Sequence, residues 1–355
     1  MNQKDTVFNY NGQPVYIGID VHKKTWTVSI CTEHTQPNRW PVKLQAPFVE
    51  NLVAHLDKHF PGGTYYAAYE AGFSGFWAQR QLESAGIDTL VLNAADIPVT
   101  HKDVDQKTDN RDSRKIARTI RNGDVSSIYI PSQQAVLDRS VVRTRFQIAK
   151  NERRFKCMIK SHLNFMGYPV PEHLDHRHWP NRFIQWLMNL QKEKQDPSLS
   201  ILLEGLQHMR KLCLQSVKEL RKLAQSDRYA EVYLNLRSIP GIGLKNGMLI
   251  ITEIVDMNRF RNINQLYSYC GLIPSQSSSG DNEQMRELTN RTNKRLRSAL
   301  VECSWAAVRH HPVMRCRYEQ YCKRMIGPQA IIRIARKLVS QIRYVWLHDV
   351  QYKSL

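Results

Sequence analysis

Residues 14–31, PVYIGIDVHKKTWTVSIC, decide how the first part of the chain folds. Segments 14–21 and 25–31 are short apolar runs with β-branched residues, and only the charged connection HKK separates them. Two such runs joined by a tight polar turn predict a β-hairpin. We therefore expect a sheet that begins with this hairpin, with Asp20 at the end of its first strand.

The residues that follow alternate between helical and strand patterns. Apolar residues at helical spacing predict helices, whereas short apolar runs that stop at a polar residue or a glycine predict strands. The predicted elements are a helix at 46–60, a strand at 64–70 that ends at Glu70, a helix at 75–86, a strand at 88–93 and a helix at 113–123. This alternation after an opening hairpin predicts an α/β domain whose mixed sheet is covered by helices.

Four acidic residues stand at the ends of these elements. Asp20 and Glu70 end strands, and Asp109 and Asp112 begin the last helix. Ligands of open α/β sheets gather at the carboxyl ends of the strands, so the four carboxylates are expected at one edge. Carboxylates held close together cannot all ionise without a compensating cation. Mg²⁺ prefers oxygen ligands and can bind substrate phosphates as well, so we expect a Mg²⁺ site, with Mn²⁺ as an alternative ion.

A purely structural interpretation of the same acids stays open. Acidic residues are favoured at helix N-termini, where Asp109 would act as a cap, and Asp20 and Glu70 would simply end strands. This interpretation needs four separate coincidences, whereas a metal site explains the four acids together.

The chain carries a large positive charge. Its 355 residues include 51 Lys and Arg against 32 Asp and Glu, for a formal net charge of +19 and a pI near 9.7. Residues 107–160 and 286–343 each hold fourteen Lys and Arg. Such clusters predict a polyanionic partner that touches the protein in several places, and nucleic acid is the usual one. A generally basic surface without such a partner is the alternative.

Cysteine usage and apolar patterning predict a cytoplasmic protein with no membrane partner. The seven cysteines form no CxxC pair and are odd in number, which argues against a zinc ribbon and against a disulfide scaffold. The first residues are polar and lack the apolar region of a signal peptide. No apolar run approaches the roughly 18 residues that span a bilayer.

The rest of the chain is predicted to be mainly helical. Apolar spacing at 148–166 and 197–226 predicts two long helices around a polar, proline-containing insertion, and so an antiparallel coiled-coil arm. We expect three domains, at 1–131, 132–228 and 229–355. The Gly-x-Gly turn in IPGIGLKNG (239–247) is typical of a helix-hairpin-helix that holds a DNA phosphate, and equally of a plain connector. The composition of PSQSSSGDNEQ (274–284) is typical of a flexible loop.

Several of these stretches resemble one family. YIGIDVHKKTWTVSI, YEAG and KTDNRDSRKIA look like the Asp-Glu-Asp-Asp domain of the one-hundred-and-ten family of insertion-sequence transposases, which includes the Piv-type invertases. Residues 236–280 and 288–309 resemble the family's C-terminal transposase domain. The resemblance implies a RuvC-like, ribonuclease-H-like fold for 1–131, with Asp20, Glu70, Asp109 and Asp112 as catalytic metal ligands, and a mainly α C-terminal domain.

The same resemblance implies a serine nucleophile. In the family, a serine immediately before a glycine attacks DNA, and Ser279 before Gly280 matches that position. Ser275, Ser277 and Ser278 are neighbours that a shift of the alignment would promote instead. A serine hydroxyl needs a base or a metal to activate it, so the carboxylates of the first domain are expected to assist.

The implied partners are double-stranded target and donor DNA and an element-encoded non-coding guide RNA. The implied assembly is a homo-oligomer, a dimer or tetramer, to which the arm contributes, on the prokaryotic nucleoid when active. We expect an RNA-guided recombinase that inserts and excises its own mobile element. Two other functions stay open. One is a RuvC-like nuclease that uses water and leaves the serine run inert, and the other is a non-catalytic nucleic-acid-binding protein.

Overall fold

The chain forms two compact units, Met1–Ile130 and Pro131–Leu355. The computed structural model describes residues 10–38, 41–98, 109–123, 125–174, 179–279, 282–288 and 292–353. The predicted domain boundaries at 131/132 and 228/229 stay predictions.

The first unit is built on a mixed five-stranded sheet, as the hairpin and the alternating pattern predict. The order of its strands is β3-β2-β1-β4-β5. β1 is antiparallel to β2 and parallel to β4, β2 is antiparallel to β3, and β4 is parallel to β5. The strands are β1 Pro14–Val21, β2 Trp26–Thr32, β3 Val42–Leu44, β4 Thr64–Glu70 and β5 Asp88–Leu92. The short edge strand β3 was not predicted, because three residues are too few to show a pattern.

Two predicted helices cover one face of this sheet. They are α1 Phe48–His59 and α2 Trp77–Ser84. Their apolar sides pack on the inward residues of β1 and β2 in one buried cluster that includes Ile17, Ile19, Trp26, Val28, Leu52 and Leu82. This core fixes which residues of β1 face the opposite side of the sheet, because side chains alternate along a strand.

The opposite face of the sheet receives α3, Asp109–Arg121. This helix begins before the predicted start at 113, so that Asp109 and Asp112 both lie in its first turn. Small residues line the contact. The hydroxyl oxygens of Ser29 and Ser113 are 2.9 Å apart, and the Cys31 thiol donates to the carbonyl oxygen of Ala117 at 3.8 Å.

Gly18 sets how closely α3 can approach β1. A methyl group at this position would overlap the carbonyl oxygen of Ser113 and the backbone nitrogen of Ala117. Both contacted groups belong to helix backbone, which cannot rotate out of the way as a flexible side chain can. Glycine is therefore required here for close packing, and its φ angle is not in the left-handed region.

The second unit begins with the predicted pair of long helices, α4 Gln133–Phe165 and α6 Pro197–Ala224. Leu163 shares a buried cluster with Leu199 near one end of the pair, and Val142 shares another with Leu220 near the other end, so the two helices run antiparallel. The insertion between them is not simply irregular. It contains α5, Asn181–Lys194, whose Phe183 and Leu187 complete the first of these clusters.

The remaining elements of the second unit are α7 Ala230–Arg237, α8 Leu244–Ile254, α9 Ile263–Cys270, β6 Pro274–Ser279, β7 Asn282–Leu288, α10 Lys294–His310, α11 Pro312–Cys322 and α12 Gly327–Leu347. The core of the second unit includes α8, which is almost entirely buried and packs against α4, α6, α7 and α10. The glycine turn joins α7 to α8 as predicted. Gly241 has φ +89° there, and a methyl group on it would overlap the carbonyl oxygen of Cys303 on α10.

The serine run differs from its prediction as a flexible loop. Its backbone forms β6, which pairs antiparallel with β7 in a two-stranded sheet. Among the described residues, no helix is both long and apolar enough to cross a membrane.

We expect Gly18→Ala to lower the free energy of unfolding of the first unit by about 1–3 kcal/mol, the usual cost of adding a methyl group to a well-packed contact. Native-state hydrogen exchange of β1 and α3 measures this loss. Gly72→Ala is the matched control, because its methyl group would meet only the carbonyl oxygen of Glu70, at 3.9 Å. Equal protection of β1 and α3 in the two variants would show that the close approach at Gly18 is unimportant.

Candidate active site

The sheet places two of the predicted acids on neighbouring strands. β1 and β4 pair in parallel with Ile19 opposite Tyr69, and Asp20 and Glu70 are the next residues of these strands. Residues in register on adjacent strands lie on the same face of a sheet. Gly18, two residues before Asp20, lies against α3, so Asp20 and Glu70 belong to the face that α3 covers.

Helix α3 brings Asp109 to Asp20, and His22 lies between them. Ligand atoms of Asp20, His22 and Asp109 all lie within 4.8 Å of one another. Nε2 of His22 is 3.1 Å from Oδ2 of Asp20 and 3.6 Å from Oδ1 of Asp109. Residues 89 positions apart in sequence thus form one acidic cluster at the end of β1.

The electrostatics of this cluster favour a cation. Burial raises the pKa of the Asp20 carboxyl above its ordinary value, His22 acts in the opposite direction, and the charges of Asp109 and Asp112 raise this pKa further. The charge of Asp112 thus acts on Asp20 although Asp112 lies outside the cluster of Asp20, His22 and Asp109. An ionised Asp20 is disfavoured here unless positive charge is added, which is the condition that a bound divalent cation relieves.

The four predicted acids are not equally close. Asp20 and Asp109 are in the cluster, and Asp112 follows Asp109 by one helical turn with a half-buried side chain. Glu70 ends β4 at the same edge with an exposed side chain, and it lies outside the group of atoms within 4.8 Å. Carboxylate oxygens from two elements suit a hard divalent cation, so the residues present fit Mg²⁺ or Mn²⁺.

His22 is a site residue that the sequence reasoning missed. It lies in the connection HKK, for which the sequence pattern predicts only a tight turn. β1 pairs antiparallel with β2, and the connection between the two strands is tight. His22 in this connection therefore lies beside Asp20, and its ring is hydrogen-bonded to the Asp20 carboxylate. The signal that could have found it is a histidine two residues after a strand-ending acid.

Ser279 lies on a strand in the second unit. It is the last residue of β6, and its backbone pairs with that of Asn282 at the start of β7. Gly280, which follows it, lies outside the described residues. The ends of the hairpin come together on the unit's core, since Gly271 approaches the Thr292 side chain so closely that a methyl group on Gly271 would overlap it.

Comparisons with known proteins match both halves of the chain. A transposase model for the DEDD domain of IS110 elements matches residues 17–167, and the model described as the transposase IS116/IS110/IS902 family matches residues 233–319. The chain is 28% identical to the putative transposase y4qE of Sinorhizobium fredii, across 82% of this chain and 71% of that protein. It is 24% identical to the transposase for insertion sequence element IS1533 of Leptospira borgpetersenii, across 82% and 84%.

The acidic cluster lies inside the matched DEDD domain, and the serine hairpin lies inside the second matched region. Fold, site and relatives together define the class of this protein, which is a DNA transposase. Both matched regions are those of one family, so the chain belongs to the IS110 family of transposases.

Asp20→Asn tests the charge excess of the cluster. Without divalent cations it should raise the free energy of unfolding at neutral pH, because a raised pKa means that the ionised carboxylate is less favourable in the folded chain. The folded wild type takes up a proton more readily than the unfolded chain. The difference in free energy of unfolding between Asp20→Asn and the wild type should therefore shrink as the pH is lowered through the raised pKa of Asp20.

Mg²⁺ should stabilise the wild type more than Asp20→Asn, and urea denaturation with Mg²⁺ or with EDTA measures the difference. Asp88→Asn is the control, because Asp88 starts β5 with an exposed side chain outside the cluster. Equal stabilisation of wild type and Asp20→Asn by Mg²⁺ would contradict a cation site at Asp20.

Proposed function

We propose that this transposase is an RNA-guided site-specific recombinase that inserts and excises its own mobile element. The main observation in support of the proposal is that Asp20 and Asp109 lie in one cluster within the matched DEDD domain. The order of the strands, with an antiparallel β1–β2–β3 portion beside parallel β4 and β5, is compatible with a RuvC-like domain.

In this proposal Asp20, Glu70, Asp109 and Asp112 hold Mg²⁺. All four acids belong to the edge of the sheet where β1 and β4 end and α3 begins. A divalent cation bound there would neutralise charge on the phosphate oxygens of a DNA strand. The protein's part is to hold the carboxylates close together, which the packing of α3 on Gly18 achieves, and the bound cation would favour their ionised form.

Ser279 is the proposed nucleophile. Its hydroxyl oxygen attacks a phosphorus atom of DNA and forms a phosphoserine ester, and the deoxyribose oxygen of the broken bond leaves as a hydroxyl after taking up a proton. A hydroxyl of another strand then attacks the ester and releases the serine. This sequence conserves the phosphodiester bond energy, so that rejoining needs no external energy source.

The proposal includes a guide RNA and a homo-oligomer, a dimer or tetramer. The net charge of +19 supports contacts with more than one nucleic acid strand. The antiparallel helices α4 and α6 support an assembly role, because a recombinase must hold two duplexes and exposed apolar residues such as Ile201 and Leu214 occur on α6.

A basic groove in the second unit supports nucleic-acid binding near the serine hairpin. It has a volume of about 640 Å³ and lies between α4, α8 and α10. Its cations are Arg143, Lys150, Lys294 and Arg295, and its acid is Glu302. Lys294 and Arg295 begin α10, whose first turn has no acidic residue. Cations are unfavourable at a helix N-terminus, and phosphate oxygens at this end would offset that cost.

The groove predicts a salt-dependent contribution to DNA affinity. Lys294→Ala should weaken binding of any DNA sequence and reduce the slope of log affinity against log salt concentration by about 0.9, the value for one lost phosphate contact. Fluorescence anisotropy with DNA and RNA duplexes measures both quantities. Lys323→Ala removes an exposed lysine that does not line the groove, and it serves as the control. Identical slopes for the two variants would exclude the groove as a phosphate contact.

The covalent step is tested by Ser279→Ala. This variant should bind DNA and RNA like the wild type but form no covalent protein–DNA adduct on denaturing gels, because the attacking oxygen is gone. Ser278→Ala and Ser277→Ala are matched controls on the same strand and should form the adduct. Cleavage and rejoining by Ser279→Ala would remove Ser279 as the nucleophile. Cleavage by the wild type without any adduct would favour a nuclease that uses water.

A further inference from the structure

Glu253 is a buried carboxylate on α8, with 1% of its surface exposed. Arg143 on α4 donates to both of its oxygens, from Nε at 2.7 Å and from an Nη at 2.8 Å. Burial alone would raise the pKa of Glu253, but the hydrogen bonds and charge of Arg143, the hydrogen bond from Asn293 and the charge of Arg139 together hold the pKa below its ordinary value. Glu253 is therefore a charged residue fixed to α4.

The two chain ends of the serine hairpin meet at Glu253. On the incoming side, the Tyr269 hydroxyl donates to the Glu253 carbonyl oxygen at 2.9 Å. On the outgoing side, Nδ2 of Asn293 donates to Oε2 of Glu253 at 2.7 Å. The two sides are also joined directly, because the backbone N–H of Asn293 donates to the carbonyl oxygen of Tyr269 at 3.3 Å.

Asn293 can do this only as an amide. Its Oδ1 accepts from the backbone N–H of Leu296 at 3.1 Å and so caps α10, which leaves Nδ2 to donate to Glu253. The orientation of the amide follows from its partners, since a carboxylate cannot donate and a backbone N–H cannot accept. An aspartate would cap the helix equally well but would place a second carboxylate against Glu253.

We infer that Glu253 and Asn293 are positioning residues, which fix the β6–β7 hairpin against α4 and so set where Ser279 meets DNA. The inference rests on the proposed role of Ser279. Neither residue need touch the substrate. The contacts at Glu253 join the three elements α4, α8 and α10 and the incoming end of the hairpin at one point, which is the arrangement that holds a nucleophile in place.

The decisive variant is Asn293→Asp, which keeps the helix cap and removes the link. We expect the rate of adduct formation at saturating DNA to fall about a hundredfold, as for a misplaced nucleophile, with the DNA affinity unchanged. Asn262→Asp is the matched control. Asn262 caps α9 by accepting from the N–H of Gln265 at 3.0 Å, so the same change there adds the same charge and keeps the same kind of cap.

Exchange of the two groups provides a rescue. In Glu253→Gln alone, the amide nitrogen faces either Nε of Arg143 or both an Nη of Arg143 and Nδ2 of Asn293. A donor therefore meets a donor in either orientation, and this variant should also be slow. The double variant Glu253→Gln/Asn293→Asp restores one donor and one acceptor between positions 253 and 293, because the new amide donates to the new carboxylate while its oxygen still accepts from Nε of Arg143. We expect the double variant to recover much of the adduct rate. If the two residues served stability alone, the adduct rate of the double variant would recover only together with its thermal stability.

Hydrogen exchange of the hairpin makes the test independent of the covalent chemistry. Faster exchange of residues 274–288 in Asn293→Asp, but not in Asn262→Asp, supports the positioning role even if the wild type forms no adduct and the proposed nucleophile is wrong. Unchanged exchange and an unchanged adduct rate would overturn the inference. If Asn293→Asp lost both DNA binding and the circular dichroism signal of the folded protein, the inference would be overturned as well, because the two residues would then serve stability alone.

Discussion

The close approach of α3 to β1 at Gly18 is the constraint on which the acidic site depends. The helix lies so near the strand that a single methyl group would meet its backbone, and the neighbouring contacts are made by small residues, Ser29, Ser113 and Ala117. Small side chains bury less apolar area at this contact, but they allow α3 and β1 to lie closer together. Because α3 begins at Asp109, that proximity brings its first turn to the end of β1, where Asp20 is. A bulkier interface would form a sheet covered by a helix just as well, without bringing the acids together.

The two candidate sites use charge in opposite ways. At the end of β1, carboxylates are gathered around His22, and the pKa of Asp20 is raised. At Glu253, a deeply buried carboxylate has two oxygens fully occupied by Arg143 and Asn293, and its pKa is lowered. A buried charge of this kind adds little net stability, because desolvation offsets much of the attraction, but losing one partner is costly. The first arrangement is suited to binding a cation, and the second to holding a backbone in place.

The sequence-based predictions succeeded where a local pattern was long enough to be decisive. The hairpin of β1 and β2, the parallel strands that follow and the antiparallel helices α4 and α6 all showed clear apolar periodicity. They failed where local composition and final structure diverge. The three residues of β3 carry no period, prolines on either side concealed α5, and a run of serines formed β6 because pairing with β7 satisfies its backbone whatever its side chains. His22 was missed because only strand pairing reveals its neighbour.

The sequence by itself determined the α/β start and helical remainder of the fold, the basic character and the positions of acidic residues at the ends of elements, since these depend on residue type and spacing along the chain. The tertiary structure decided which groups meet. It placed Asp109 beside Asp20 and His22, and left Glu70 at the same edge but outside their cluster. It also joined Arg143, Glu253 and Asn293, which are far apart in sequence and show no shared motif. The physical reason is that hydrogen bonds and Coulomb attraction act over a few ångströms, and only the packed core brings distant residues within that range.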